Sequence, residues 1–374
     1  MLDIKKLSIK ASHIIFISDI HFGKHVNSEE WQDNMRNYFY NFFLPYVKKV
    51  KATLKEDEKL VCINLGDTYD DRKAIDINVT NLAIDVVEDI AKEIPMYILN
   101  GNHDLAKKTN LGNTSLRTIE YIPNVTLITD PTLLTLQYGD KLSTKIIAIP
   151  YLGSTELETN YLVEYNKKAK YALMHTELTK MKMDNGMTIT NGANPDMFKG
   201  LILSGHIHKR QESKHVIYIG APYHMNKGDI NNDCGLYVLD LAKDDLSFTK
   251  NTYSPIYHSI QIDEYDNMSL TERQSFFNNN YNYVIINEDD VPKYKKKYDL
   301  NNLGLGTTAK KVTLITNKKH QSIDASVAEY KEKSISELIN ESINQLEIDN
   351  DSKTRLYSLS DMYLHEAEQQ LIND

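Results

Sequence analysis

Five short apolar runs in this chain each end in a polar turn that supplies aspartate, asparagine or histidine, and no other feature restricts its fold as tightly. Residues 13–18 precede Asp19-Ile20-His21, and residues 59–65 precede Gly66-Asp67. Residues 95–99 precede Asn100-Gly101-Asn102-His103-Asp104. Residues 171–174 run into His175, and 201–204 into Gly205-His206-Ile207-His208. Runs this short, rich in Ile, Leu and Val, read as buried strands. Residues two apart at a strand's end can both turn toward one point beyond the sheet, where ligands sit in open α/β sheets. Pro95 suits a strand start, and Gly101 permits a sharp exit at its end.

The segments between the first three runs read as helices. From Ser28 to about residue 54, Tyr38, Phe39, Phe42, Phe43, Tyr46 and Val47 recur on a helical period. Ser28 suits the N-cap, and Pro45 should kink or divide the helix. Leu82, Val86, Val87 and Ile90 mark a second helix over 77–93, capped by Asp76. The first 104 residues therefore read β-α-β-α-β, a mainly parallel sheet flanked by helices. Shorter strands with little helix between them follow at 125–129, 145–149, 171–174, 201–203, 216–219 and 236–239. Residues 176–199 read as a loop near the mouth of the site.

The chain continues well past the last of these strands. Residues 257–320 read as a small α+β unit with strands at 283–286 and 312–316. Ile335, Leu338, Ile339, Ile343 and Leu346 then form one helical stripe, and Leu356, Leu359, Tyr363, Ala367 and Leu371 a second. Three domains are expected: 1–255, 256–325 and 326–374.

Several function classes drop out on composition. No apolar run approaches the roughly 20 residues of a membrane span, and the N-terminus has no apolar signal region. Cys62 and Cys234 show neither metal spacing nor a disulfide framework, which favours a reducing cytoplasmic setting. Net charge is −9, but residues 321–374 hold 12 acidic and 4 basic side chains, leaving the rest near neutral. Between Lys293 and Lys319 lie eight lysines and one acid, Asp299, so a polyanion has somewhere to bind. Lys293, Lys295, Lys296 and Lys297, interleaved with Tyr294 and Tyr298, suit contacts to a DNA backbone.

The strand-end residues Asp19, His21, Asp67, Asn102, His175, His206 and His208 are more oxygen and nitrogen ligands than one tetrahedral ion needs. They suit two divalent ions of intermediate hardness, such as manganese, iron or zinc, with Asp67 as the candidate bridge. Two ions roughly 3.5–4 Å apart activate a shared hydroxide and clamp a phosphoryl group.

Asp-x-His, Gly-Asp, Gly-Asn-His-Asp, a later His and Gly-His-x-His together resemble the calcineurin-like metallophosphoesterase pattern from Asp19 to His208. The resemblance implies a β-sandwich flanked by helices. It implies two divalent ions, with Mn2+ the expected metal, one on Asp19, His21, Asp67 and His208 and a second on Asp67, Asn102, His175 and His206. His103 would then be the family's acid for the leaving oxygen, with Asp104 orienting it. Gly66-Asp67-Thr68-Tyr69-Asp70 and Tyr218-Ile219-Gly220-Ala221-Pro222 are similar to elements of SbcD-type DNA repair nucleases, including those of T-even-type phages. Some cellular members carry a histidine where this chain has Asp70, which makes Asp70 a candidate part of the leaving-group environment.

By that resemblance the chain is the nuclease subunit of a DNA repair or recombination complex. The 256–325 unit would cap the site and position DNA. The acidic C-terminal helices would dock on an SbcC-type coiled-coil ATPase. The aromatic stretch 31–47 is a candidate homodimer surface. Two other readings fit the same residues: a phosphoesterase or nucleotide phosphodiesterase for small substrates, and a DNA-end-binding scaffold.

Overall fold

The computed structural model describes residues 2–71, 74–107, 110–139, 142–300, 303, 309–317, 353, 355–357 and 360. The chain divides into two units, Met1–Asn317 and Lys318–Asp374. The C-terminal stripes read from sequence at 334–372 lie almost wholly outside the described residues, so the ATPase-docking expectation has no structural counterpart here.

Two sheets form a sandwich within the first unit. The six-stranded sheet runs Asp245–Lys250, Gly235–Asp240, His13–Ile17, Leu60–Asn64, Met96–Leu99, Val125–Ile128. Its last four strands are parallel. The seven-stranded sheet runs Lys5–Lys10, Thr132–Tyr138, Leu142–Ile149, Tyr171–His175, Leu201–Gly205, Val216–Tyr218, Gln211–Glu212. Strand alternation explains why the apolar runs are continuous. Ile14, Phe16, Val61 and Ile63 pack between the sheets against Leu134, Ile146, Ala148, Leu173 and Leu203. Their neighbours Ile15, Ile17 and Cys62 pack outward against helices. Ile147 and Ile149 do the same on the far side, against Tyr161 and Leu162 of the Thr155–Tyr165 helix. A strand buried on both faces has no polar side to show.

The helix read over 28–54 is three segments: Glu29–Tyr38, a π-helical turn Phe39–Phe43, and Leu44–Thr53. Pro45 sits in the first turn of the last segment, where its missing N–H costs least, and the wide π turn absorbs the mismatch. Ser28 caps the first segment by accepting from the Trp31 amide, and Asp76 caps Ile77–Glu93 by accepting from Asn78 and Val79. The aromatic stripe of this region is core. Trp31, Tyr38, Phe39 and Phe43 are buried against Tyr69, Val86 and Tyr223, so the candidate homodimer surface is spent inside the fold.

Among the elements that sequence reasoning passed over are two strands and a helix of the sandwich. Lys5–Lys10 and Thr132–Tyr138 pair in parallel at the edge of the larger sheet. They carry an alternating polar and apolar pattern that a search for apolar runs does not register. Thr155–Tyr165 has a weakly one-sided sequence, and Ser154 caps it.

Beyond Pro255 a three-stranded parallel sheet, Tyr257–Gln261, Tyr281–Asn287 and Lys311–Asn317, carries the helices Ile262–Asn267, Leu270–Phe277 and Val291–Lys295. It has its own core of Ile260, Phe277, Val284, Ile286 and Tyr294.

Candidate metal centre

The parallel strands His13–Ile17 and Leu60–Asn64 end side by side, and their loops are laced together. Asp19 N donates to Gly66 O (3.0 Å), His21 N to Asp67 O (3.0 Å), Phe22 N to Thr68 O (2.8 Å) and Asp70 N back to Phe22 O (2.9 Å). Asp19, His21, Asp67 and His206 all take left-handed backbone, with φ of 54°, 54°, 52° and 84°. Non-glycine residues rarely do so, and such strain concentrates at functional sites. It turns the side chains at the strand ends inward.

All seven strand-end residues meet at one rim. Ligand atoms of Asp19, His21 and His208 lie within 4.8 Å of one another, and so do those of Asp67, His175 and His206. His21 Nε2 is 3.7 Å and His175 Nε2 3.2 Å from Asp67 Oδ2, so Asp67 lies between the two groups. Asn102 Oδ1 completes the second group, 3.2 Å from His175 Nε2 and 2.6 Å from His206 Nδ1. His21, Asp67 and His103 also satisfy the same distance limit, so proximity alone offers a third trio.

The donor set fits cations. His175 Nδ1 is 2.7 Å from the Leu65 carbonyl, which can only accept, so Nδ1 carries the hydrogen. The Nε2 lone pair of the neutral ring then faces a carboxylate oxygen and an amide oxygen, an arrangement that a cation or a proton must reconcile. His21 Nε2 and His208 Nε2 stand 3.0 Å apart, too close for both to bear hydrogens. Asp19 Oδ1 accepts from His206 N (3.0 Å), while its fully buried Oδ2 has no partner among the described residues. An orphaned buried carboxylate oxygen is costly without a counter-charge.

The charges follow. Burial opposes ionisation of Asp67, but His175 and His21 outweigh it and hold the carboxyl well below the usual carboxylate range. Burial likewise opposes a charge on His175, and Asp67 overrides it, lifting the imidazole to about 9. Burial keeps His21 below its ordinary value, against the pull of Asp70.

Asp70 and Asp104 take roles that spacing did not indicate. Asp104 does not orient His103. Its oxygens accept from the amides of Thr68 (2.9 Å), Tyr69 (3.0 Å) and Gly101 (2.9 Å), tying two ligand loops together. Burial and then Asp67 raise its carboxyl to about 7, against those amides. Asp70 supports two histidines: its carboxylate lies 2.9 Å from His21 Nδ1 and its backbone carbonyl 2.7 Å from His103 Nδ1. Lys24 Nζ, 2.9 Å from the same carboxylate oxygen, balances its charge. Sequence reasoning missed Glu177, 3.6 Å from His206 Nε2, and Asp184, 3.8 Å from His208 Nδ1. Both lie in the 176–199 loop, and only their position beside the site marks them.

Gly101 serves close approach, not an unusual φ. A Cβ there would stand 2.2 Å from both the amide nitrogen and Oδ1 of Asp67. Gly101→Ala is expected to cost about 3 kcal/mol of stability and to weaken divalent-metal binding, because Asp67 must move. Urea unfolding and a manganese titration check this, and near-wild-type values in both would contradict it.

Glu158 is buried beside the site, accepting from Leu152 N (3.1 Å) and Thr176 Oγ1 (2.5 Å). Burial lifts it to about 7 from an ordinary 4.5. A carboxyl raised on folding stabilises fully below the lower value, and that contribution is lost as pH rises through the higher one. Relative to wild type, Glu158→Gln should therefore gain on the order of 2–3 kcal/mol between pH 4.5 and 8. Parallel stability–pH curves would contradict that.

The lysine cluster is partly committed. Lys297 pairs with Asp266 (2.5 Å) and Lys293 lies 3.5 Å from Asp263, while Lys295 and Lys296 are exposed. Tyr294 is buried in the core of the three-stranded unit, so it is packing and not a DNA contact. His224 is packing too, bonded to Asn232 O (2.8 Å) and Tyr257 N (3.0 Å). Among the described residues no helix is long and apolar enough to cross a membrane.

The calcineurin-like phosphoesterase family model matches residues 12–210, the span that holds every strand-end residue named above. The chain is 27% identical over 270 residues to exonuclease subunit 1 of Enterobacteria phage T4, covering 69% of this chain and 75% of that protein. It is 24% identical over 215 residues to a putative phosphoesterase 078R of Invertebrate iridescent virus 3, covering 55% of each chain.

Proposed function

The chain belongs to the calcineurin-like phosphoesterase family, a family of metal-dependent hydrolases, and we propose from that premise that it is a two-metal DNA nuclease, the nuclease subunit of a repair or recombination complex. The observation that carries the metal half of the reading is the convergence of Asp19, His21 and His208 with Asp67, Asn102, His175 and His206. The DNA half rests on the T4 exonuclease subunit, whose similarity runs over 270 residues and so outlasts the phosphoesterase span. Its being a subunit supports a partner, for which we propose an SbcC-type ATPase docked on residues 326–374. The mixed imidazole, carboxylate and amide donors suit manganese.

When bound, two such ions supply activation of the attacking water and charge to offset the transferring phosphoryl group. The protein's own residues do the rest. Asp67 holds the two ligand groups in one frame, and its Oδ1 accepts from His103 N (2.7 Å), so the acid is indexed to the bridge. His103 Nδ1–H donates to the Asp70 carbonyl, which leaves Nε2 for the substrate. As the new P–O bond forms and the ester P–O bond breaks, protonated Nε2 delivers its proton to the departing oxygen. The partial exposure of His103, beside fully buried His21 and His175, gives that proton a route from solvent.

Manganese-dependent digestion of end-labelled duplex DNA tests the reading, run beside bis(p-nitrophenyl) phosphate and p-nitrophenyl phosphate. Cleavage of DNA and of the diester supports it. Fast turnover of the monoester with inert DNA, even with the cognate ATPase added, would replace it with a small-substrate phosphoesterase. The iridescent virus relative, described only as a phosphoesterase, keeps that outcome in view.

A further inference from the structure

The cap sheet turns one face away from its own core, and that face carries a tyrosine array that the hydrolysis does not use. Register aligns Tyr257 with Tyr281 and Lys311 in one row, and Ser259 with Tyr283 and Thr313 in the next. Alternation sends Ile260, Val284, Ile286 and Leu314 the other way, into the cap core. The Tyr257 and Tyr281 rings stack with centroids 4.7 Å apart at 15°, and Tyr257 and Tyr283 lie 6.3 Å apart at 18°. Tyr281 leans on Trp31, 6.4 Å away, whereas Tyr283 ends the array half-exposed.

A cleft of about 390 Å³ opens between this face and the loop that follows the Asp19–His21 turn, lined by Tyr283, Tyr281, Lys311, Trp31 and His25. That volume suits a small ligand or one unit of a polymer. The Trp31 indole N–H is buried and meets no acceptor among the described residues. Glu30 also lines the cleft, but the Tyr281 hydroxyl (2.8 Å) and Lys310 Nζ (3.3 Å) engage its carboxylate. The exposed Lys311 ammonium is left to set the sign of the cleft.

The cleft adjoins the metal centre along the chain. His25 lies four residues after His21, so at most ~14 Å separates their Cα atoms. At the ~3.4 Å rise of a stacked strand that bound is at most about four nucleotide steps. Lys24 and Asp70 connect the same loop to His21.

We propose that this cleft is a stacking site for a nucleobase of a single DNA strand leaving the metal centre. Tyr283 supplies the stacking face and Lys311 meets a phosphate. A half-exposed aromatic backed by a stack of others, beside a cation, binds single strands with little regard to sequence, because every base has a π-face. The proposal rests on the nuclease reading, and its test separates the two.

The full chain is titrated in EDTA with an oligodeoxynucleotide carrying 2-aminopurine four nucleotides from one end. Wild type should bind it and quench its fluorescence. Tyr283→Ala should weaken binding about tenfold and lose the quench, and Tyr283→Phe should keep both. Lys311→Gln should lower the slope of log K against log salt by about 0.7. Tyr283→Ala binding at wild-type strength would overturn the proposal. So would wild type that fails to bind, or dAMP that binds as tightly as the strand. Because no metal is present, wild type that stacks the strand yet never cleaves DNA with manganese counts against the nuclease reading and supports the cleft. Cleavage by wild type, with unchanged binding by Tyr283→Ala, does the reverse.

Discussion

Asp67→Asn should lower manganese-dependent turnover by about a thousandfold or more, several kcal/mol of transition-state stabilisation. The substitution keeps the shape and an oxygen for the His103 amide, and it removes only the charge. That charge stands 3.2 Å from His175 Nε2 and 3.7 Å from His21 Nε2, one histidine from each ligand group. Without it neither group has an anionic ligand in common with the other, and metal content measured on purified protein should fall with activity. Retained activity with two ions bound would show that the two groups do not depend on a shared carboxylate.

His103→Ala should separate the two functions that Asp67→Asn removes together. The loss expected for a positioned acid is about 10²- to 10⁴-fold in kcat, with metal content unchanged. The reason is geometric. The His103 ring is held by the Asp70 carbonyl at Nδ1, and its amide by Asp67 Oδ1, so the backbone contact survives truncation of the ring. The defect should shrink on a substrate whose leaving group needs no proton, such as a p-nitrophenyl ester. An equal loss on both substrates, or loss of metal, would make His103 a ligand, which its distance from His21 and Asp67 also permits.

The sequence made the strand ends legible for a physical reason. Both faces of the inner strands are buried, so their runs are unbroken and the first polar residue after each marks the rim. The same logic failed where a strand is exposed on one side, as at Lys5–Lys10. It failed again where local conformation sets direction: nothing in Asp19, His21 or Asp67 announces a left-handed backbone, yet that conformation aims them. Adjacency misled for Asp104, which follows His103 but turns to three amides, while Asp70, distant in sequence, supports the ring. Tyr294 read as a surface aromatic because lysines flank it, and its helix buries it. The Tyr257, Tyr281 and Tyr283 array was invisible because its rows exist only once strands far apart in sequence are in register.

We propose that one rim holds two ions with Asp67 between them. Anomalous diffraction from crystals of the full chain soaked in manganese measures this directly. Two peaks per chain are expected, about 3.5–4 Å apart, one against Asp19, His21 and His208 and the other against Asn102, His175 and His206, with Asp67 touching both. A single peak, or two that do not share Asp67, would contradict it.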